Sequence, residues 1–339
     1  MVQTVELLRL IGSPFAESTE HSLSRSKFEK FYNCAQKNRI LYLYLHTVCR
    51  RNMINFAIPF EREKARYLKT VDVITKASQV LASVKIDHAI FKTIRPYEST
   101  TVDVDIIIFG GKDDYLNSIE VMQKAGYKKG VVGPQSTTLR DYETGLGIDL
   151  YENVAVGFVT YMDKRNLVKH TTTVHMPNGL SVRTLKPHAD LVAVIAHSIM
   201  KEQMYTLSEY YTFLEYLKSI NIEELEETAK ENHVIHPTKV HASITALLHD
   251  AAHGFIPNKI LHILDTIGED TLEKARITKR NFRTPHKYHL VTVSRSLLEI
   301  TKGEKSRNSI ATQIVHTFHP KIAKDLVSKL LKHVTRETY

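Results

Sequence analysis

Cysteine is nearly absent from this sequence of 339 residues, which contains only Cys34 and Cys49. We interpret both as buried thiols rather than as a disulfide, because free cysteine behaves as a small apolar residue in most folds. Two cysteines also exclude a zinc site built from cysteine ligands. Any metal site in this chain must therefore use other donors.

Long apolar runs are missing as well. The longest, residues 40–45 and 191–196, are far shorter than the roughly 20 residues that a membrane-spanning helix needs. No basic segment followed by an apolar core stands at the N-terminus, so no secretory signal is predicted. With 42% hydrophobic and 24% charged residues, the chain is expected to be globular, with two or three domains, no membrane segment and a cytoplasmic location.

Glycine is absent from residues 13–109. Apolar residues recur there at helical spacing, which predicts a helical N-terminal region over 1–82 with a long helix after Pro59. Short β-branched runs separated by turn residues predict strands over 83–186. The pattern becomes helical again over 187–339, where the last predicted helix covers 319–333. The predicted fold is α+β: a small mixed sheet between a helical N-terminal region and a helical C-terminal domain.

Two aspartates interrupt the most apolar predicted strand, the Val-Asp-Val-Asp-Ile-Ile-Ile-Phe of residues 102–109. Asp103 and Asp105 share one face of this strand, about 7 Å apart, because alternate residues point the same way. An unpaired buried charge costs several kcal/mol, so a cation is expected beside them. A divalent metal carrying a phosphate fits this requirement. The alternative is an edge strand whose outer face is exposed to water.

A third aspartate, Asp149, lies on a later predicted strand, with Ile148 and Leu150 on its opposite face. Carboxylate oxygens are ligands that Mg²⁺ and Mn²⁺ prefer. Two such ions stabilise both the attacking and the leaving oxygen of a phosphoryl transfer. Asp103 and Asp105 can bridge two ions, and Asp149 can orient or deprotonate an attacking hydroxyl.

This arrangement resembles the DNA-polymerase-β-like nucleotidyltransferase superfamily. The signature of that superfamily is a strand ending in Gly-Gly or Gly-Ser, then nine to thirteen residues, then Asp-x-Asp, with a third acidic residue on a later strand. Here Lys92-Thr93 occupies the Gly-Ser position, nine residues precede Asp103-Val-Asp105, and Asp149 matches the third acidic residue. Position 92 departs from the family, because a lysine replaces the glycine.

A branch of uncharacterised nucleotidyltransferases is similar in further features: a helical N-terminal region, a Lys-containing element, an Arg before Asp-x-Asp, and a later Pro-x-x-x-Leu-x-x-x-x-Ala-His helix. Lys92, Arg95 and the helix from Pro187 to His197 match this outline. The resemblance implies a nucleotidyltransferase core over 83–186.

The resemblance further implies that the protein transfers a nucleoside monophosphate from an NTP to a hydroxyl acceptor, with two Mg²⁺ or Mn²⁺ ions bound at Asp103, Asp105 and Asp149. Lys92, Thr93 and Arg95 are then expected to face the triphosphate. A member of the family that binds a nucleotide or nucleic acid without turnover is the alternative.

The positive charge is concentrated at the C-terminal end. Residues 273–339 carry fifteen Lys and Arg against five Asp and Glu, a net charge of +10, whereas the whole chain carries +9. Within this region, residues 279–288 combine cations with aromatic residues. A basic region of this kind can bind RNA, or can simply be a solubilising surface. We therefore expect RNA as a possible acceptor or partner.

Histidines offer a competing metal site in the C-terminal half. His249 and His253 are four residues apart on a predicted helix, similar to the His-Glu-x-x-His of zinc proteases, but Asp250 replaces the glutamate. A phosphohydrolase of the His-Asp type, with His241 and Asp265 as further ligands, is a third hypothesis. We favour a structural role for these histidines.

An aromatic cluster in the same half has two interpretations. It can stack nucleic-acid bases, or pack as core between helices, which is the more common role of such residues. Its members are Tyr205, Tyr210, Tyr211, Phe213 and Tyr216.

Overall fold

A computed structural model describes residues 2–18, 23–51, 57–267 and 282–317. The helices in these ranges are α1 (Val2–Ile11), α2 (Arg25–Lys37), α3 (Leu41–Arg50), α4 (Ala57–Ser83), α5 (Lys112–Lys124), α6 (Lys164–Leu167), α7 (Pro187–His197), α8 (Leu207–Leu217), α9 (Ile222–Glu231), α10 (Ile235–His253), α11 (Asn258–Ile267), α12 (Leu290–Ile300) and α13 (Glu304–Thr317). A 3₁₀ turn (Val168–His170) follows α6, and a π-helical turn (Ser198–Glu202) extends α7.

The strands are β1 (His88–Ile90), β2 (Asp103–Ile108), β3 (Lys128–Val132), β4 (Ser136–Arg140), β5 (Gly147–Tyr151), β6 (Val154–Val156), β7 (Val159–Met162), β8 (Thr171–His175), β9 (Ser181–Leu185), β10 (Met204–Tyr205) and β11 (His286–Lys287). Seven of them form one mixed sheet in the order β3-β4-β5-β2-β1-β9-β8. Within it, β2 is parallel to β5, and β1 is parallel to β9. The remaining strands form two short antiparallel pairs, β6–β7 and β10–β11.

Apolar side chains on one face of the sheet pack against α4 and α5. Val104 and Ile106 of β2 and Ile148 of β5 are fully buried there, together with Val71 and Ile74 of α4. Burying an aliphatic side chain of this size stabilises the fold by roughly 1.5–3 kcal/mol. This packing fixes which residues of β2 point the other way.

The opposite face of the sheet meets a larger apolar core, which joins α1–α3 to α7–α12. The sheet contributes Ile107, Tyr151 and Leu185 to this core, together with Phe91, which directly follows β1. Asp103 and Asp105 leave β2 on the same face as Ile107, since alternate residues of a strand point the same way. The aspartates therefore lie between the sheet and the C-terminal helices.

The predicted α+β fold with a mixed sheet is confirmed, and it is consistent with a nucleotidyltransferase-like core. The edge-strand interpretation of residues 102–109 is wrong, because β2 lies between β5 and β1. The helix predicted over 319–333 lies outside the described residues, as do residues 273–281 and 318–339 of the basic region. No helix in the described ranges is both long and apolar enough to cross a membrane. The division at 82 and 186 stays a prediction.

Candidate active site

Three carboxylates meet where β2 and β5 run side by side. Asp105 pairs in register with Asp149, and each of Asp103, Asp105 and Asp149 offers an oxygen within 4.8 Å of the others. The side chain of Thr138 on β4, the register partner of Asp149, donates a hydrogen bond to Asp149 Oδ1 at 2.5 Å. The structure thus brings together the three aspartates singled out in the sequence. A set of hard oxygen donors this close fits Mg²⁺ or Mn²⁺.

Lys92, which follows β1, has a backbone conformation that normally favours glycine. Its φ is +47°, in the left-handed region. Its backbone N–H donates a hydrogen bond to Asp190 Oδ1 at 2.5 Å, and Asp190 Oδ2 accepts one from the Tyr216 hydroxyl at 2.7 Å. Asp190 is a buried residue of α7. The chain therefore keeps a glycine-like backbone conformation at position 92. A hydrogen bond to Asp190, almost a hundred residues later in the sequence, stabilises this conformation.

The ammonium group of Lys92 contacts an aspartate of the trio. Lys92 Nζ lies 2.5 Å from Asp105 Oδ1, and only 5% and 6% of the two side chains are exposed. The rings of Phe91 and Tyr151 flank this ammonium, with centroids 4.9 and 5.1 Å from Nζ. Lys92 was expected to face a triphosphate, and in the structure its charge is directed at Asp105.

Thr93 and Arg95 lie beside the trio with partners of their own. The hydroxyl oxygen of Thr93 accepts a hydrogen bond from the backbone N–H of Asp105 at 2.8 Å. The guanidinium of Arg95 lies 3.8 Å from Glu209 and donates a hydrogen bond to Thr212 at 3.4 Å. Both residues line the same cleft as Asp103 and Asp105.

That cleft has a volume of about 660 Å³ and lies between α4, the loop before β2, and α7–α8. Its walls are rich in cations that the sequence analysis did not single out: Arg39, Arg62, Arg66 and Lys201. Arg62 and Arg66 are one turn apart on α4, and this spacing is the only feature of the sequence that places them on the same face of the helix. Lys201 belongs to the π-helical turn and donates a hydrogen bond to the Tyr151 hydroxyl at 2.8 Å. Asp149 is not part of the cleft wall.

The charges at this site shift the acidity of its members. Burial and repulsion from Asp105 raise the pKa of Asp103 to about 6, against the pull of Lys92. Burial alone would raise the pKa of Asp105, but Lys92 and Lys201 outweigh it and hold that pKa below its usual value. Burial lowers the pKa of Lys92, and the charge of Asp105 acts against that shift across the contact between Lys92 Nζ and Asp105 Oδ1.

His197, the last residue of the Pro187 motif, is neutral near pH 7, because burial and the charge of Lys92 lower its pKa to about 3. Its Nδ1 lies 3.1 Å from the Tyr161 hydroxyl, and its Nε2 lies 3.3 Å from Glu202. Glu202 in turn lies 3.3 Å from Arg39. His197 therefore supports the cleft wall from within the fold.

The histidine alternatives find structural partners instead. His249 Nδ1 lies 2.8 Å from the Phe255 carbonyl oxygen, and Nε2 lies 3.0 Å from the Ser13 hydroxyl. His241 is fully buried between the rings of Tyr205 and Phe213. Across the described ranges, the aspartate trio is the group of carboxylates, histidines or cysteines close enough to hold one metal ion.

The aromatic cluster of the C-terminal half belongs to the core. At most 9% of any of its five side chains is exposed, and several of the rings contact one another. These rings are therefore not available for base stacking.

No family model matches this chain, and no curated protein matches its sequence. Among solved structures, the chain is similar to a STING-associated CdnE c-di-GMP synthase from Capnocytophaga granulosa. The match has a TM-score of 0.28 and 11% sequence identity, and it covers 92% of this chain and 97% of that chain. This likeness is too weak to assign the chain to a family.

Proposed function

We propose that this protein is a metal-dependent nucleotidyltransferase that moves a nucleoside monophosphate from an NTP to a hydroxyl acceptor. The observation that carries this proposal is the convergence of three carboxylates from two adjacent strands beside a cation-lined cleft, whose wall includes Asp103 and Asp105. A triphosphate needs such cations, and a metal ion needs such carboxylates. Nucleotidyl transfer from an NTP, like other phosphoryl transfers, uses both.

The cleft supports binding of the nucleotide through its basic walls. Arg62 and Arg66 present guanidinium groups from α4, and Lys201 presents an ammonium group from the opposite side. Thr93 can donate its hydroxyl hydrogen to a phosphate oxygen, because its oxygen already accepts the N–H of Asp105. We infer that the triphosphate lies along these residues, with its reacting phosphate near Asp103 and Asp105.

The acceptor hydroxyl is inferred to approach from the Asp149 side, which is outside the cleft wall. The Thr138 hydroxyl fixes Asp149 Oδ1, so that Oδ2 remains to orient the acceptor hydroxyl and take its proton. A divalent cation bound by the trio would neutralise charge on the phosphates and stabilise the attacking and leaving oxygens. The protein's own contribution is to hold donor and acceptor in line across β2 and β5.

A labelling experiment tests this proposal. The protein is incubated with each labelled NTP, Mg²⁺ or Mn²⁺, and total RNA, a protein mixture or small hydroxyl compounds. Transfer that is lost in Asp103→Asn, Asp105→Asn and Asp149→Asn supports the proposal. Transfer that survives all three changes would overturn it. Thr144→Ser, a conservative change in the β4–β5 turn, serves as the matched control.

A non-catalytic nucleotide-binding or nucleic-acid-binding protein is the second candidate. The ammonium of Lys92 on Asp105 favours it, because this ion pair already compensates one of the carboxylates that would bind metal. On this alternative the cleft binds an NTP with equal affinity in the presence and absence of Mg²⁺, and no label is transferred. The three Asp→Asn variants would then retain binding.

RNA as the acceptor rests on the charge of residues 273–339, and nine of the fifteen Lys and Arg in that range lie outside the described residues. The proposed domain arrangement is a nucleotidyltransferase core over 83–186, between the helical region 1–82 and the C-terminal domain 187–339. Cytoplasmic location is part of the same proposal.

A further inference from the structure

Lys92 is a buried cation at the place where a nucleotidyltransferase would bind metal. We propose that its ammonium group takes the place of one of the two divalent ions, so that the Asp103–Asp105–Asp149 trio binds a single Mg²⁺ or Mn²⁺ ion. This inference rests on the proposed function, because it concerns the metal requirement of the same site.

The first support is the contact itself. Lys92 Nζ lies 2.5 Å from Asp105 Oδ1, a distance at which a metal ion cannot also occupy that side of the oxygen. Both side chains are almost fully buried, so neither charge can be compensated by water. A cation that bound at Oδ1 would have to displace the ammonium and leave it buried without its partner.

The second support is the way Lys92 is held. Its backbone N–H is fixed by Asp190, and the conformation at φ +47° persists although it disfavours a residue with a Cβ atom. Its ammonium also lies against the rings of Phe91 and Tyr151. Backbone and side chain are thus constrained independently, so the ammonium is a fixed charge.

The third support is the charge balance of the trio. Three ionised carboxylates carry three negative charges, and Lys92 compensates one of them. The remaining two negative charges equal the charge of one divalent cation, and the ammonium of Lys201, which also attracts Asp103 and Asp105, adds further positive charge near the trio. Asp103, Asp149 and the second oxygen of Asp105 remain as ligands for that ion, and one or two protein carboxylates together with substrate phosphates are the usual set for Mg²⁺. A second divalent ion would meet the repulsion of the ammonium.

Metal stoichiometry tests the inference without relying on activity. The wild-type protein, saturated with a non-hydrolysable ATP analogue, is titrated with Mn²⁺ while electron paramagnetic resonance follows the free and bound ion. We expect one bound Mn²⁺ per protein–nucleotide complex and no dipolar broadening from a neighbouring Mn²⁺. Two bound ions with mutual broadening would overturn the inference.

Substitution of Lys92 gives the second arm. Lys92→Met keeps the size of the side chain but removes its charge, so Asp105 Oδ1 becomes available and a second Mn²⁺ should bind. Lys92→Arg keeps a cation and should stay at one ion, as should Lys112→Met, the control at an exposed lysine of α5. An unchanged count of one in folded Lys92→Met contradicts the inference. If Lys92→Met does not fold, the number of Mn²⁺ ions bound by the wild-type complex alone decides between one ion and two.

The outcomes separate this inference from the proposed function. Two ions with active transfer would refute only the role of Lys92. One ion without transfer to any acceptor would support that role and refute the enzyme. No bound Mn²⁺ at millimolar concentration would refute both.

Discussion

The backbone N–H of Lys92 donates a hydrogen bond to the carboxylate of Asp190, 98 positions further along the chain. Asp190 also accepts the hydroxyl of Tyr216. A helix of the C-terminal half thereby holds the loop that presents Lys92 to Asp105. This contact gives a structural reason for the Pro187 motif, which begins α7 and places Asp190 one turn into it.

Removal of the Asp190 carboxylate should destabilise the fold and the site together. In Asp190→Ala the Lys92 N–H and the Tyr216 hydroxyl both lose a buried acceptor, at roughly 1–3 kcal/mol each. We therefore expect a decrease in the free energy of unfolding of about 2–5 kcal/mol, measured by urea denaturation. Tyr216→Phe, which removes one donor and leaves Asp190 paired with Lys92, should cost about 1 kcal/mol. Equal losses in the two variants would contradict the anchoring role of Asp190.

The α4 arginines should contribute to nucleotide binding rather than to the chemical step. A charge-assisted hydrogen bond to a phosphate is worth about 1.5–3 kcal/mol, so Arg62→Gln and Arg66→Gln should each raise KM for the NTP about tenfold or more. The value of kcat should change little, because neither guanidinium reaches the aspartates. Steady-state kinetics at fixed Mg²⁺ measures both constants. Lys69→Gln, an exposed change on the same helix, is the matched control. An equal increase in KM in Lys69→Gln would show that the effect comes from net charge and not from contacts of Arg62 and Arg66 with the nucleotide.

Acid should destabilise the protein through His241. Burial lowers the pKa of His241 to about 3, from 6.5 in the unfolded chain. A base with a lowered pKa stabilises the fold fully above pH 6.5, and this stability is lost as the pH falls below that value. At pH 5 the loss is about 2 kcal/mol.

His241→Leu removes this titration, so its free energy of unfolding should fall about 2 kcal/mol less than that of the wild type between pH 7.5 and pH 5. Urea denaturation at the two pH values measures the difference. Phe213→Leu, at a ring that contacts His241, alters the packing alone and should lower stability equally at both pH values. An unchanged pH dependence in His241→Leu would show that protonation of this ring has no part in acid unfolding.

RNA binding through the basic C-terminal region should weaken steeply with salt. For single-stranded RNA, the slope of log affinity against log salt is about −0.7 for each phosphate contacted. Replacing Lys324, Lys329 and Lys332 with glutamine should reduce the magnitude of this slope. Filter binding between 50 and 300 mM salt, about the range in which such effects are large, measures it. If the substitutions leave the slope unchanged, these lysines do not contact RNA phosphates.

Local patterns were enough to predict the elements on which the site is built. Alternation of aspartate with aliphatic residues identified β2. The Pro177-Asn178-Gly179 segment between β8 and β9 has the composition typical of a hairpin turn, and Gly179 has a φ of +80° there. The β3 strand was missed, because all of its residues are exposed and it has no buried alternate face. The β6–β7 pair was missed because its strands are too short for a periodic signal.

Contacts across long stretches of chain could not be predicted from those patterns. The sequence places Lys92 eleven positions before Asp103, but spacing alone does not reveal that its ammonium group contacts Asp105. The role of Asp190 depends on how α7 packs against the sheet, and Arg62 and Arg66 look like ordinary exposed helix residues. These are tertiary relationships, set by the arrangement of elements rather than by the sequence around each residue.

Because β2 pairs in parallel with β5, the geometry of the trio tolerates insertions in the chain between these strands but not insertions within β5. The chain between Asp105 and Asp149 contains α5, β3, β4 and their connections, which can lengthen or shorten without moving either carboxylate, as long as the two strands keep their register. A single residue inserted within β5 before Asp149 would instead turn that side chain towards Val104 and the apolar core, since side chains alternate along a strand. Changes in loop length can therefore alter the surroundings of this site without displacing the aspartates. The position of Asp149, in contrast, depends on the register of β5, which is only five residues long.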